Sequence, residues 1–153
     1  MEAALRTAYN LVTGENPDPD AFKEVRGMDG WKEAKFNLAG TELKVAVASG
    51  LGNTRNLIEA IRHKEVEYDF VEIMTCPGGC VGGGGQPFRD GKEFAHERAI
   101  QLYGLDKIAD IRFSHENKAV QLTYEEFLGK PLSERSHKLL HTELDDWDLE
   151  IKR

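Results

Sequence analysis

The sequence predicts an α/β fold: a partial parallel sheet with flanking helices, preceded by a hairpin and followed by a helical C-terminal region. Three observations predict it. Ala34, Phe36 and Leu38 alternate with polar residues, and after Ala39-Gly40 the alternation resumes at Leu43, Val45 and Val47, the pattern of two paired strands. A segment of helical period, Thr54 to His63, then separates that second strand from the apolar run Phe70, Val71, Ile73 and Met74, so strand, helix and strand read as one right-handed parallel crossover. Beyond Ser114 the signals are those of short helices and breakers.

The chain opens with a helical stripe from Glu2 to Val12, on which Ala4, Leu5, Ala8, Leu11 and Val12 are apolar and after which Gly14 ends the helix. A proline- and aspartate-rich loop, Glu15 to Asp20, leads to a polar stretch with room for one short helix before Gly30. After the hairpin, the helix Thr54 to His63 is expected to turn Leu57, Ile58 and Ile61 inward, and Phe70 to Met74 to form a buried strand. The ends of the two parallel strands, Ser49-Gly50 and Thr75-Cys76, then point the same way, and in open α/β sheets ligands gather beyond such ends. Ser49, Gly50 and Asn53 are candidates for the rim of that site. A helix from about Gly91 to Tyr103 carries Phe94, Ala95, Ile100 and Leu102, and Leu105 to Arg112 reads as a second polar helix or turn. Thr123 and Glu126 have the spacing of a capping box for a helix ending near Leu128. Gly129-Lys130-Pro131 breaks it, Ser133 caps a last helix through Leu140, and Asp145 to Arg153 is a charged tail.

Composition narrows the function. With 27 acidic and 20 basic residues the formal charge is -7, which repels a phosphate backbone and argues against nucleic acid or an anionic membrane surface as partner. No apolar stretch approaches the roughly 20 residues that span a bilayer, and the N-terminus lacks the order of a secretion signal, so a cytoplasmic location is expected. Two cysteines make no disulfide framework; they are thiols, metal ligands or one redox pair.

Those cysteines, Cys76 and Cys80, stand in the run Thr75-Cys76-Pro77-Gly78-Gly79-Cys80-Val81-Gly82-Gly83-Gly84-Gly85-Gln86-Pro87, which holds six of the 15 glycines. Glycine loses more backbone freedom on ordering than any other residue, so a group close to the backbone is needed to offset that loss. Four readings compete. Cys76 as a buried small hydrophobe leaves the glycines unexplained. A thioredoxin-like redox pair has two intervening residues, not three. A closed zinc site needs four ligands, and His63, His96, His115, His137 and His141 lie at no familiar zinc spacing. An iron-sulfur centre accounts for most: thiolates hold iron, while successive backbone N–H groups of Gly78, Gly79, Gly82, Gly83 and Gly84 donate to anionic ligands that side chains would obstruct.

The stretch from Phe70 through Cys80 to Pro87 resembles the third cluster motif of the iron-only, or [FeFe], hydrogenases. The likeness extends on both sides. Met1 to Tyr9 is similar to the helix after that family's second cysteine motif, Ser114-His115-Glu116-Asn117 to the segment before its small-subunit region, and Tyr124 to Pro131 with Ser136 to Thr142 to that region itself. The resemblance therefore implies residues 1–113 as the C-terminal lobe of the hydrogenase catalytic domain and 114–153 as a small-subunit-like helical segment.

What it implies chemically is reversible conversion of two protons and two electrons to dihydrogen at an H-cluster, a [4Fe-4S] cubane joined to a diiron subcluster. By that resemblance Cys76 ligates the cubane, Cys80 bridges it to the diiron subcluster, and Met74 packs beside the diiron unit; Ser49, from its strand end, and the loop glycines are expected around the same cofactor. The family's first two cysteine motifs are missing here. The chain then reads as the C-terminal part of a hydrogenase, expressed as a fragment or begun at an internal methionine, inactive alone and able to lack both clusters when isolated. Its implied partners are the N-terminal half and a redox donor such as ferredoxin or an NAD(P)-linked subunit. The alternative is a noncatalytic iron-sulfur or scaffold protein, in which Cys76 and Cys80 of two copies hold one cluster at a homodimer face. Apolar surface uncovered by the missing lobe is expected to make the fragment self-associate, through exchange of the helix Glu2 to Val12.

Overall fold

The structure, a computed structural model, describes residues 1–87 and 89–141. It divides into two compact units, Met1–Phe113 and a second beginning at Ser114. The charged tail expected over Asp145 to Arg153, and Thr142, lie outside the described residues.

In the first unit, α1 (Glu2–Thr13) leads through a 3-10 turn, Lys23–Val25, to the hairpin of β1 (Trp31–Leu38) and β2 (Thr41–Ser49). Leu38 pairs with Thr41, so Ala39 and Gly40 alone make the turn. Their φ angles, 51° and 93°, are both left-handed, the twist that a two-residue hairpin demands. Helix α2 (Leu51–Arg62) carries the chain to β3 (Phe70–Met74), which pairs parallel to β2, giving the sheet order β1-β2-β3. Helix α3 (Ala95–Ile108) follows the cysteine loop.

The central strand accounts for the core. Val45 and Val47 face one side, packed with Leu5, Phe22, Val25, Ala34 and Phe36, and the Phe22 and Phe36 rings meet edge to face at 5.0 Å. Ala46 and Ala48 face the other side, where their small side chains admit α2 closely enough to bury Leu57 completely.

Several faces differ from the periodicity. On α1 the buried residues are Leu5 and Arg6, while Leu11 and Val12 are exposed at 78% and 59%. The burial of Arg6 shows why: that side of α1 is held by charge. Helix α2 begins at Leu51 rather than Thr54 and buries Thr54, Leu57 and Ala60, leaving Ile58 and Ile61 exposed. Strand β3 is not buried; Phe70 and Ile73 are each about half exposed, because the order β1-β2-β3 puts β3 at an edge among the described strands. One helix, α3, replaces the two segments expected between Gly91 and Arg112; it starts at Ala95 and runs through Leu105 without a break.

In the second unit, a 3-10 turn, Ser114–Glu116, precedes α4 (Lys118–Thr123), capped by the Asn117 side chain, which accepts from the Ala119 N–H. The chain continues as a π turn, Tyr124–Leu128, so Thr123 is not a cap: its hydroxyl donates to the Ala119 carbonyl at 2.7 Å. Gly129 breaks the helix, and Ser133 caps α5 (Glu134–Leu140) by accepting from the Ser136 N–H at 3.1 Å. His137 and His141 stack on each other, ring centroids 4.5 Å apart, with both side chains exposed.

A partly buried charge cluster ties α1 to α3. Asp106 accepts two bonds from Arg6, at 2.9 and 3.0 Å, one from Arg112 at 2.7 Å and one from Arg26 at 3.2 Å. Arg6 also donates to the carbonyls of Pro19 and Arg112, Arg26 forks onto Glu2, and Arg112 reaches Asp20. Hydrogen bonds from Arg6, then from Arg112, hold the Asp106 carboxyl far below the usual carboxylate range. A carboxylate depressed on folding contributes its full stability above the unfolded value of about 3.9 and loses it as the pH falls further. Asp106→Asn should therefore cost about 2–3 kcal/mol at neutral pH, and urea titrations should show its deficit against the parent shrinking below about pH 4. A deficit equal at pH 7 and pH 2 would contradict this.

Candidate functional site

The site is built where β2 and β3 end side by side. The Gly50 N–H donates to the Met74 carbonyl at 2.9 Å, extending the parallel ladder one residue past Ser49. Ser49 is fully buried, and its hydroxyl oxygen accepts from the Gly78 N–H at 3.2 Å, fastening the cysteine loop onto the strand end. Asn53 donates to the Ser49 carbonyl at 2.7 Å and fits because Gly30 lacks a side chain: a Cβ there would meet Asn53 at 2.0 Å. Ser49, Gly50 and Asn53 thus support the loop from below.

The loop folds on its own backbone. Gly79 N–H donates to the Cys76 carbonyl at 3.0 Å, a 3-10 turn spans Cys80–Gly82, and Gly83 N–H donates to the Cys80 carbonyl at 3.2 Å. Gly78 and Gly79 have φ of 75° and 84°. Three of the glycines clear space for the protein's own atoms. A Cβ on Gly78 would lie 2.5 Å from Met28, one on Gly79 2.9 Å from the Met74 sulfur, and one on Gly82 2.2 Å from the Pro77 carbonyl oxygen. Gly83 would place a Cβ 3.6 Å from Cys76 Sγ, and Gly84 has open space around it.

Both cysteines are free thiols, Cys76 half-buried and Cys80 exposed. A cavity of about 230 Å³ beside the loop is lined by Cys80, Met74, Gly78 and Gly79, together with Lys32 and Glu72 from the sheet; Cys76 does not line it. Glu72 accepts from the Met1 ammonium at 2.8 Å. Burial pushes the Lys32 ammonium below its usual range, against the opposing pull of Asp29 and Glu72.

The donor set is soft and incomplete: two thiols and a neighbouring thioether. Among the described residues no three His, Cys, Asp or Glu side chains gather closely enough to hold a metal ion. Two thiols and a thioether have the soft-ligand chemistry that suits one side of a thiolate-bound group. Sequence reasoning missed Lys32, Met28 and Arg98. Arg98 Nε donates to the Val81 carbonyl at 2.6 Å and its Nη1 to the Pro87 carbonyl at 3.3 Å, while Nη2 pairs with Glu93, so α3 holds the far side of the loop. Its carbonyl partners lie 17 and 11 residues away, beyond the reach of any local pattern.

Residues 1–84 match the family described as iron only hydrogenase large subunit, C-terminal domain, and residues 92–146 match iron hydrogenase small subunit. NADP-reducing hydrogenase subunit HndD of Solidesulfovibrio fructosivorans is 52% identical over 93% of this chain and 24% of its own length. A probable cytosolic Fe-S cluster assembly factor of Drosophila persimilis is 35% identical over 88% of this chain and 28% of its own. The chain thus spans about a quarter of those two relatives. An apo form of the [FeFe]-hydrogenase HydA1 from Chlamydomonas reinhardtii superposes with a TM-score of 0.74 at 42% identity, covering 94% of this chain and 43% of that one. With residues 1–84 of 153 matched by its catalytic-domain model, the chain belongs to the iron-only hydrogenase family.

Proposed function

We propose that this chain is the C-terminal portion of an [FeFe] hydrogenase, contributing Cys76 and Cys80 to an H-cluster whose remaining ligands come from another segment, and that it is inactive alone. The observation that carries the reading is the loop itself: two thiols at the end of β3, no third metal-ligating group beside them among the described residues, and an open glycine, Gly84, that no packing requires. When bound, the cluster would supply the redox centre for reversible reduction of protons to dihydrogen. In this reading Cys76 and Cys80 are the ligands, Met74 presents an apolar thioether that excludes water from the cavity, and Ser49 and Arg98 hold the loop in place.

The division proposed from sequence, 1–113 as catalytic-domain lobe and 114–153 as small-subunit-like segment, is supported by the two compact units. Exposed Phe70, Ile73, Ile100, Leu105 and Ile108 support a neighbouring segment that covers them. The identity with an NADP-reducing hydrogenase subunit favours an NAD(P)-linked electron partner, with ferredoxin the other candidate. A second reading, a noncatalytic iron-sulfur protein with one cluster shared by a homodimer, draws on the likeness to an Fe-S cluster assembly factor.

Iron and sulfide analysis with subunit mass separates the two. The isolated chain, reconstituted anaerobically, should remain free of cluster and evolve no hydrogen, and should retain iron when mixed with a polypeptide carrying the other cluster cysteines. One cubane per dimer of this chain alone would overturn the first reading in favour of the second. Gly84→Ala should leave unfolding free energy within about 0.5 kcal/mol of the parent and yet lower iron retention in the mixture. Unchanged retention would remove Gly84 from the cofactor's surroundings.

A further inference from the structure

The cavity beside Cys80 is lined by one lysine, Lys32, on which Asp29 and Glu72 act only from beyond ion-pair distance. Lys32, Val47 and Glu72 are in register across β1, β2 and β3, so their side chains share one face of the sheet. Ser49 and Met74 form the next row on that face, two residues toward the cysteine loop, about 6.6–6.8 Å along the strands. Lys32 lines the same cavity as Met74 and Cys80.

The other charges of the cavity are matched. Arg26 forks onto Glu2 at 2.7 and 2.8 Å, and Glu72 takes the Met1 ammonium. Lys32 differs: its ammonium donates to the carbonyls of Gly27 and Asp29, each at 3.1 Å, and makes no ion pair among the described residues. Its stem lies over Gly27, where a Cβ would stand 3.9 Å from Lys32 Cδ. A partly buried ammonium that donates to two carbonyls, with Asp29 and Glu72 acting only at longer range, is further stabilised by an anion that enters its cavity.

We propose that Lys32 is a positioning residue of the cluster site, the fixed cation that offsets the negative charge of the thiolate-bound group at Cys80 and so raises the potential at which that group accepts an electron. The inference rests on the hydrogenase reading above and adds a residue to it. A positive charge near a redox centre favours its reduced, more negative form.

The test is a redox titration, followed by electron paramagnetic resonance, of the cluster-loaded complex of this chain with the segment carrying the other cysteines. Poised at the parent's midpoint, Lys32→Met should shift the oxidised-to-reduced ratio from one to about ten, equivalent to a midpoint about 59 mV lower for one electron. Lys32→Arg should stay within about twofold of the parent, since it keeps the charge. Failure of Lys32→Met to load while Lys32→Arg loads, with parent-like circular dichroism in both, also supports the proposal. A Lys32→Met midpoint equal to the parent's overturns it alone, as does failure of both variants to load in a folded complex. A parent complex that takes up no iron overturns the hydrogenase reading and this inference with it.

Discussion

The hydrogen bond from the Gly78 N–H to the buried Ser49 hydroxyl is the constraint on which the site depends. It joins the ends of the two parallel strands, so the cysteine loop inherits the rigidity of β2, the strand with the most deeply buried side chains. Everything that positions the thiols follows from that junction. Asn53 holds the Ser49 carbonyl, Gly30 makes room for Asn53, and Arg98 fixes the opposite side of the loop through two backbone carbonyls. Gly78 and Gly79, with left-handed φ, let the chain reverse within four residues and bring Met74 beneath it. The glycines therefore serve two ends: some admit the protein's own atoms, and Gly84 leaves space that the protein does not fill.

A second constraint lies away from the thiols. Asp106, with three arginines converging on it, links α1, α3 and the segment before Phe113. One carboxylate against three guanidinium groups works because Glu2 and Asp20 supply the remaining negative charge, so the cluster is a network rather than a lone pair. The same network fixes Arg26, whose guanidinium lies 4.5 Å from the centre of the Tyr103 ring at the cavity wall. Core and site are thus connected through charge on one face of the sheet.

Much of the fold was legible because its signals are local. The hairpin follows from alternation about Ala39-Gly40, and Ser133 announces α5 by its position before a helical run. The crossover and the loop at its end were legible for the same reason, and the motif around Cys76 and Cys80 points by itself to soft-ligand chemistry. What was not legible depends on partners distant in sequence. Arg6 and Asp106 are a hundred residues apart, so periodicity assigned the α1 interface to Leu11 and Val12 when a buried arginine decides it. Ile58, Ile61, Phe70 and Ile73 have apolar character that sequence reads as burial, yet the described residues leave them exposed. Lys32 carried no motif; only the register with Val47 and Glu72 brings it to the cavity.

Thiolates from this chain must reach iron for the proposed site to function. The most direct measurement is electron-nuclear double resonance on a reconstituted complex in which only this chain carries 13C at cysteine Cβ. Ligation by Cys76 and Cys80 predicts 13C hyperfine coupling from this chain, reduced but present in Cys76→Ser and Cys80→Ser taken singly and absent in the double variant. A paramagnetic iron-sulfur signal with no coupling to the labelled cysteines would contradict it.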